Sequence, residues 1–251
     1  MQRIAVLGAG RMGRQIITAV AAQSDCKVSG VWSRDASAVA GIAGYADLPE
    51  LLADSDIAID FTLAAATSEV PQAAVSAKLP LVCGVSGLTA DQAVDLDVAA
   101  RSIPLLYDRN MSYGVAVMTR LAEQAAAAFG EGYRLEVHET HHIHKLDAPS
   151  GTALKLGEAL ARGRGRHFDD IYHYEPQRDG SALADDKISF HVRRAGEVPG
   201  DHRVEFLAAA ETLTLSHSVT NRRVFADGAL AAARWLASQA PGRYEMTDVL
   251  L

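Results

Sequence analysis

The N-terminal stretch constrains the fold most strongly, because it joins a strand pattern to a helix pattern through a glycine-rich turn. Residues 3–7 form a short apolar run, and Gly8-Ala9-Gly10-Arg11-Met12-Gly13 follows it directly. Apolar residues then recur at helical spacing, at Ile16, Ile17, Val20 and Ala21. In a GxGxxG turn, the first glycine permits a tight bend, the second lets a pyrophosphate approach the backbone, and the third lets the helix pack on the strand. We therefore predict a dinucleotide-binding turn with all six residues as cofactor contacts, the alternative being a glycine-rich connection without a ligand.

Further apolar runs alternate with helix patterns through the first half of the chain. They cover residues 26–32, 57–61, 79–83 and 103–107. Helix starts lie between them, at Asp47-Leu-Pro-Glu50 and at the capping box of Thr89 and Gln92. This alternation predicts a Rossmann-type, doubly wound parallel sheet, whose ligands bind beyond the carboxyl ends of the strands. The cofactor-binding residues expected there are Thr62, Gly84, Val85, Ser86, Asp108, Arg109, Asn110 and Met111.

The end of the second predicted strand bears on the choice of cofactor. In this arrangement an acidic residue usually accepts hydrogen bonds from the adenosine ribose of NAD. Ser33 and Arg34 stand at that end instead. A hydroxyl and a guanidinium suit a 2′-phosphate better than a bare ribose, which favours NADPH. Asp35 follows directly, so NADH stays possible.

The pattern changes beyond residue 111. An amphipathic helix that ends at Gly130 is marked by Met118, Leu121, Ala122, Ala125 and Phe129. Apolar and polar residues then alternate in three later runs, at 188–193, 204–206 and 213–215. Strands with one wet face predict a smaller α+β domain with an open mixed sheet, which we assign to residues 112–221. A closing helix pattern from Ala229 to Ala237 returns the chain to the dinucleotide-binding domain, which we assign to residues 1–111 and 222–251.

The stretch 139–152 combines groups that transfer protons with a site that attracts anions. His141, His142 and Lys145 carry side chains whose protonation can be tuned near neutral pH. Ser150, Gly151 and Thr152 then open a helix pattern, and the free amides of a helix start attract anions. The arrangement predicts a site for a small acidic molecule, with a solvated polar loop as the alternative.

The same stretch contains a sequence that resembles a zinc site. His138-Glu139-Thr140-His141-His142 satisfies HExxH, which needs one helical turn to bring both histidines onto a metal. Residues 133–140 alternate between apolar and polar types, which predicts a strand. We therefore expect no metal here.

Composition excludes several classes of partner. The chain has 251 residues, a formal charge of -7 and a pI near 5.7, which argues against non-specific nucleic-acid binding. Cys26 and Cys83 lie in apolar runs and cannot form a disulfide framework, which favours a reducing compartment. A signal sequence and a membrane-spanning run are both missing from the pattern. The expected location is the cytoplasm.

The chain resembles the 4-hydroxy-tetrahydrodipicolinate reductase (dihydrodipicolinate reductase) family over nearly its full length. The most specific string is 139–153, which matches the family pattern E-x-H-H-x-x-K-x-D-A-P-S-G-T-A. Shorter strings support it, at 8–13, 60–62, 110–114 and 194–202.

The resemblance implies an oxidoreductase of lysine and diaminopimelate biosynthesis that transfers hydride from NAD(P)H to a small cyclic dicarboxylate, giving tetrahydrodipicolinate. By the family pattern His141 is the catalytic acid/base and Lys145 its cationic helper. His142, Lys145, Gly151 and Thr152 would bind the substrate carboxylates, in agreement with the predicted anion site. The resemblance also implies a homotetramer built through the sheet of the second domain.

Several positions depart from the family pattern. The family commonly has an acidic residue at position 33, a proline at 64, Gly-Thr-Thr-Gly at 84–87, and alanine or proline near 108 and 109. The altered residues at Val85, Ser86, Asp108 and Arg109 motivate one alternative, a non-catalytic NADPH sensor. A second alternative is another two-domain NAD(P) oxidoreductase that shares only the nucleotide-binding half.

Overall fold

The computed structural model describes residues 1–34, 39–174 and 186–250. Two compact units form, Met1–Tyr113 with Arg222–Leu251, and Gly114–Asn221. The strands are β1 Gln2–Leu7, β2 Cys26–Trp32, β3 Gly44–Tyr45, β4 Ile57–Asp60, β5 Leu81–Cys83, β6 Pro104–Tyr107, β7 Arg134–His141, β8 Tyr172–His173, β9 Ile188–Arg194, β10 Asp201–Leu207, β11 Thr212–Ser218 and β12 Gly242–Tyr244. The α-helices are α1 Arg11–Ala21, α2 Leu48–Ala53, α3 Val70–Ala77, α4 Ala90–Ala100, α5 Tyr113–Phe129, α6 Gly151–Gly163, α7 Phe168–Ile171 and α8 Arg223–Leu236.

The first unit is built on a seven-stranded sheet in the order β12-β6-β5-β4-β1-β2-β3, and all its pairs are parallel. Successive residues of a strand face opposite sides of a sheet. Ala5 and Leu7 of β1 join a core with α2, α3 and α4, while Ile4 and Val6 on the other face are also fully buried. Both faces are therefore covered, as the predicted doubly wound sheet requires, and the order reverses at β1, between β2 and β4.

Two glycines fix the turn from β1 into α1. Gly8 has φ +100, and a Cβ added there would lie 2.8 Å from the carbonyl oxygen of Phe61. A Cβ added at Gly13 would lie 1.8 Å from the carbonyl oxygen of Gly8. Only glycine fits either position without moving the backbone. These contacts bring the start of α1 close to the ends of β1 and β4, as the GxGxxG pattern predicts.

The second unit has a five-stranded sheet in the order β11-β10-β7-β9-β8. β10 pairs antiparallel with β7 and β11, while β9 pairs parallel with β7 and β8. The sheet is therefore mixed, and its apolar face forms a core with α5 and α6 around Val137, Leu156 and Phe206. The predicted fold class is confirmed for both units.

Local signals predicted the helix starts well and the strand bounds less well. Thr89 and Gln92 form the capping box of α4, and the Asp47 side chain accepts a hydrogen bond from the Glu50 amide at 2.9 Å. Strand β5 is shorter than the predicted run 79–83, because it begins after Pro80, which has no N–H to donate. The sequence patterns did not predict β3, α3, α7, β8 or β12.

Candidate active site

The turn after β1 leaves main-chain N–H groups open at the start of α1. Gly10 is the N-cap of this helix, and no side chain caps it there. A Cβ added at Gly10 would meet no atom within 4 Å, so the space beside this residue is open. Arg11 is exposed and Met12 is half-buried. Uncapped amides and the helix dipole attract phosphate groups, so the turn can hold a pyrophosphate against its backbone.

Ser33 and Arg34 lie beside this turn. They follow β2, whose last residue, Trp32, accepts a hydrogen bond from the Gly8 amide at 2.9 Å. Ser33 is half-buried and Arg34 is exposed. Asp35, the residue on which the NADH alternative rests, lies outside the described residues. The main chain that leads into Ser33 and Arg34 is therefore close to the turn, where the adenosine ribose of a dinucleotide binds in this fold.

A buried carboxylate organises the carboxyl ends of β4 and β5. Asp60 is fully buried, and it accepts hydrogen bonds from the Thr62 amide at 2.8 Å and the Thr67 hydroxyl at 2.6 Å. Burial raises the pKa of the Asp60 carboxyl above its ordinary value. Gly84 lies against the Phe61 ring, where an added Cβ would be 2.3 Å from a ring carbon. Asp60 and Phe61 therefore shape this edge of the sheet, although the predicted site included neither.

Three predicted cofactor residues direct their side chains into the protein. Val85 and Met111 are each 1% exposed. The Asp108 carboxylate accepts hydrogen bonds from the amides of Asn110 and Met246, both at 3.1 Å. Among the other predicted residues at this edge, Ser86 and Arg109 are exposed and Asn110 is half-buried. Val85, Asp108 and Met111 could therefore contact a cofactor only through their main chains.

In the second unit, the histidines of strand β7 lie on opposite faces of the sheet. Burial alternates along β7, so Glu139 and His141 are buried while His138 and Thr140 lie on the opposite face. An HExxH zinc site needs a helical turn, and this segment is a strand, as the alternation predicted. His141 ends the strand, immediately before the loop that leads to α6.

Glu139 joins β7, β9 and the start of α6. Its side chain is 1% exposed. The Ser150 amide donates to both carboxylate oxygens, at 3.2 and 3.1 Å, and the Arg194 guanidinium lies 3.3 Å from one of them. A buried carboxylate needs such partners, because burying an unpaired charge costs much more free energy than burying a charge that is paired and hydrogen-bonded. This buried network therefore fixes the position of the strand end that carries His141.

The His141 imidazole is held in a neutral state. Burial, followed by the positive charges of Lys145 and Arg194, lowers its pKa to about 4 from an ordinary 6.5. Its Nδ1 lies 3.5 Å from a Glu139 carboxylate oxygen without hydrogen-bond geometry, and the His202 ring packs edge-on at a centroid distance of 5.0 Å. An imidazole with such a pKa is neutral at neutral pH and can accept a proton.

Arg194 also fixes the loop that carries Lys145. Its guanidinium donates to the carbonyl oxygen of Lys145 at 3.1 Å and to that of Asp147. The Lys145 ammonium lies 2.8 Å from the Asp147 carboxylate and is partly accessible, with 22% of its side chain exposed. His142 is half-buried at the start of the same loop. A cation and an imidazole therefore stand within one short, anchored segment beside His141.

The start of α6 was predicted to bind an anion through Ser150, Gly151 and Thr152. The Ser150 hydroxyl caps the helix by accepting from the Ala153 amide at 3.2 Å, as predicted, and the Ser150 amide donates to Glu139. The hydroxyl and the amide of Ser150 therefore both form hydrogen bonds within the protein already. Gly151 is half-buried and Thr152 is buried, and both follow Ser150 in the first turn of α6, where a helix can bind an anion through its first amides.

Both units match models of one protein family. The model of the dihydrodipicolinate reductase N-terminus matches residues 2–111, and that of the C-terminus matches residues 114–250. The chain belongs to the dihydrodipicolinate reductase family.

Relatives in this family match over the full length. The chain is 42% identical to the 4-hydroxy-tetrahydrodipicolinate reductase of Alkalilimnicola ehrlichii over 264 residues, covering 99% of this chain and 98% of that one. It is also 42% identical to the Zymomonas mobilis enzyme over 255 residues, covering 99% and 96%. Matches of this extent decide against another two-domain oxidoreductase that shares only the nucleotide-binding half.

Solved structures agree on the fold. Dihydrodipicolinate reductase from Paenisporosarcina sp. TG-14, with dipicolinate bound, aligns with a TM-score of 0.79 at 22% identity, covering 100% of each chain. A probable dehydrogenase from Thermotoga maritima aligns with a TM-score of 0.60 at 13% identity, covering 98% of this chain and 92% of that one. The dihydrodipicolinate reductase fold is thus shared with other dehydrogenases, so the fold alone does not define the substrate.

Three residues of the site were missing from the sequence prediction: Glu139, Arg194 and His202. Each lies inside a string that resembles the reductase family, but none had been given a role. His202 is directly opposite Glu139 in the pairing of β10 with β7, and Arg194 is beside His141 in the pairing of β9 with β7. One local signal was available, because Glu139 occupies an apolar position of the alternating strand pattern.

Proposed function

We propose that this chain reduces 4-hydroxy-tetrahydrodipicolinate to tetrahydrodipicolinate with NAD(P)H, a step of lysine and diaminopimelate biosynthesis. Full-length identity of 42% to enzymes named for this reaction carries the proposal. The second unit supports it, because a buried neutral imidazole, a lysine and a helix start lie in one anchored segment. These groups suit a small dicarboxylate that must receive a proton.

The first unit fits a dinucleotide. Open space at Gly10 and the uncapped start of α1 leave room for a pyrophosphate, while Gly8 and Gly13 keep the turn close to the sheet. When bound, the reduced nicotinamide supplies the hydride. We expect Thr62, Gly84 and Ser86 to line the remaining part of this site, with main-chain contacts from 108–111. We expect NADPH to be preferred over NADH, because Ser33 and Arg34 replace the acidic residue that binds a free ribose.

Proton delivery falls to His141, the proposed catalytic acid/base. Without a ligand, its pKa is lowered to about 4, and Lys145 and Arg194 contribute to that shift. A bound dicarboxylate places negative charge beside the same three groups, which favours the protonated imidazole. Substrate binding would therefore convert His141 from a neutral group into a proton donor. Lys145 would assist by balancing the negative charge of the substrate.

The carboxylates of the substrate would be held by His142, Lys145, Gly151 and Thr152. The Lys145 ammonium is paired with the exposed carboxylate of Asp147, so a substrate carboxylate can compete for it. Ser150 contributes by capping α6, which keeps the first turn in place. The relative from Paenisporosarcina sp. TG-14 binds dipicolinate, a planar dicarboxylate of the expected class.

The deciding experiment follows NADPH oxidation with substrate generated by the preceding synthase reaction. The proposal expects turnover by the unaltered protein and its loss in His141→Gln and Lys145→Ala, with cofactor binding retained. Cofactor binding without any turnover would instead support the non-catalytic sensor.

We further propose a cytoplasmic homotetramer. The two cysteines are free and buried, which suits a reducing compartment. No helix in the described part of the chain is long and apolar enough to cross a membrane. Size-exclusion chromatography with light scattering measures the oligomeric state, and a monomer would contradict the assembly.

A further inference from the structure

A second cluster of histidines and carboxylates lies on the face of the second unit's sheet that is opposite to the core with α5 and α6, away from the side chains of Glu139 and His141. It contains Glu136 and His138 of β7, His191 of β9 and Glu205 of β10, so it spans three neighbouring strands. Glu205 is directly opposite Glu136, and His191 is beside His138. Two carboxylates placed opposite each other repel unless positive charge lies between them.

The ligand-type atoms of this cluster converge. The His138 Nε2 lies 3.1 Å from one oxygen of Glu136 and 3.1 Å from one oxygen of Glu205. The His191 Nε2 lies 3.2 Å from the same Glu136 oxygen. Around a four-coordinate zinc with bonds of about 2.0–2.1 Å, neighbouring ligand atoms are roughly 3.3 Å apart. The His138 and His191 nitrogens lie close to this spacing from the Glu136 oxygen, and the ligand atoms of these three residues all lie within 4.8 Å of one another.

Two arginines orient the carboxylates. Arg134 lies 3.1 Å from the Oε1 of Glu136, and Arg203 lies 3.2 Å from the Oε1 of Glu205. Each carboxylate therefore keeps its Oε2 for the imidazoles. Outer partners of this kind are what hold carboxylate ligands in position at metal sites.

We propose that Glu136, His138 and His191 bind one divalent transition-metal ion of the zinc class. Two imidazoles and one carboxylate are donors that zinc accepts, and a site with three protein ligands leaves the fourth position to water. The ion would replace the contacts that the two rings now make with Glu136, and it would cross-link β7 and β9. The site is separate from the proposed reaction, so neither proposal depends on the other.

The buried cluster of Glu139, His141 and His202 is the weaker candidate for the same ion. Its imidazole nitrogens lie 3.5 and 3.9 Å from Glu139. Both Glu139 oxygens already accept from the Ser150 amide, and Arg194 places a cation beside them. These contacts disfavour a second cation there.

The test titrates the metal-free, full-length protein with Zn²⁺ by calorimetry near neutral pH. We expect one ion per chain, with affinity reduced by at least about tenfold in His191→Ala and in Glu136→Gln. His191 is half-exposed, with 49% of its side chain accessible, so its removal leaves the fold intact. His167→Ala is the matched control, since His167 is an exposed histidine of the same unit outside the cluster.

A second comparison assigns the ion to one of the two clusters. Zinc affinity should be unchanged in His141→Gln, and unfolding of the unaltered protein should shift to higher temperature with Zn²⁺. Absence of binding would overturn the proposal and leave the cluster as a hydrogen-bonded ion-pair network. The proposal would also be overturned if His191→Ala bound Zn²⁺ as tightly as the unaltered protein, or if His141→Gln no longer bound Zn²⁺.

Discussion

The main-chain N–H of Ser150 donates to both carboxylate oxygens of Glu139, at 3.2 and 3.1 Å. This contact connects the start of α6, which belongs to the proposed substrate site, to β7, the strand that carries His141. The Ser150 amide therefore already donates to the buried Glu139 carboxylate and is not available to an incoming anion. In the proposed site, this internal carboxylate fixes the first turn of α6, and Gly151 and Thr152 would contact the carboxylate of the substrate.

Replacing Glu139 by glutamine should destabilise the second unit. Glutamine keeps an acceptor for the Ser150 amide but removes the charge that pairs with Arg194. We expect a loss of about 1–3 kcal/mol in the free energy of unfolding, as for a charged group that loses its hydrogen-bond partner. Denaturant unfolding measures it. Glu197→Gln is the control, since that side chain is 78% exposed, and equal stability of the two variants would contradict the role of Glu139.

Removing the proton donor should affect turnover more than binding. General acid–base catalysis contributes about 10²–10⁴-fold, so His141→Gln should lower kcat by that range. Lys145→Ala should raise KM for the dicarboxylate as well, because it removes a cation from the carboxylate site. His144→Ala serves as the control, as His144 lies in the same loop but is 69% exposed and paired with Glu197. A loss in His144→Ala equal to that in His141→Gln would point to loop disruption instead.

The fold should lose stability as the pH falls from about 6.5 toward 4. Burial lowers the pKa of His141 to about 4 and that of His202 to about 3, from an ordinary 6.5. The unfolded chain therefore binds protons in this range that the folded chain does not, so stability present above pH 6.5 is lost on acidification. Each such proton costs about 1.4 kcal/mol per pH unit.

Denaturant unfolding at several pH values measures this dependence. His202→Gln should flatten the slope by about one proton, since glutamine does not titrate. If the pH dependence of the unfolding free energy is unchanged in His202→Gln, the His202 imidazole binds its proton equally well in the folded and unfolded states, which would contradict the lowered pKa.

The contrast between local and distant pairing explains how much of this site could be predicted from the sequence. The glycine turn and the caps at Thr89 and Ser150 depend on neighbours in sequence, and the structure confirms them. The meeting of Glu139 with Arg194 and His202 depends on the register of β7 with β9 and β10, which no local pattern specifies. Burial of Val85 and Met111 was missed for the same reason, because both sit in loops whose packing is set by distant segments.

Gly10→Ala should separate cofactor binding from folding. The added methyl group meets no protein atom within 4 Å, and Gly10 has φ -70, so the substitution costs only the weaker capping of α1, about 1 kcal/mol or less. The same methyl group would occupy the space proposed for the pyrophosphate. We expect at least about a tenfold loss of NADPH affinity, or 1.4 kcal/mol, by fluorescence titration. Gly132→Ala is the matched control, since its added Cβ is also in open space. Unchanged affinity in Gly10→Ala would place the cofactor elsewhere.

Ser33→Asp should shift the cofactor preference toward NADH. A carboxylate at the end of β2 can accept hydrogen bonds from the two ribose hydroxyls of NADH, and it repels the 2′-phosphate of NADPH. Two unit charges about 4 Å apart interact by about 1 kcal/mol even in water, so the ratio of NADPH to NADH efficiency should fall by roughly fivefold or more. Steady-state kinetics with both cofactors gives this ratio as kcat/KM. Ser86→Asp is a useful comparison, because that exposed serine follows β5 rather than β2 and should not discriminate between the two cofactors at the ribose. An unchanged ratio in Ser33→Asp would mean that position 33 does not face the adenosine ribose, and the preference for NADPH would then depend on Arg34 alone.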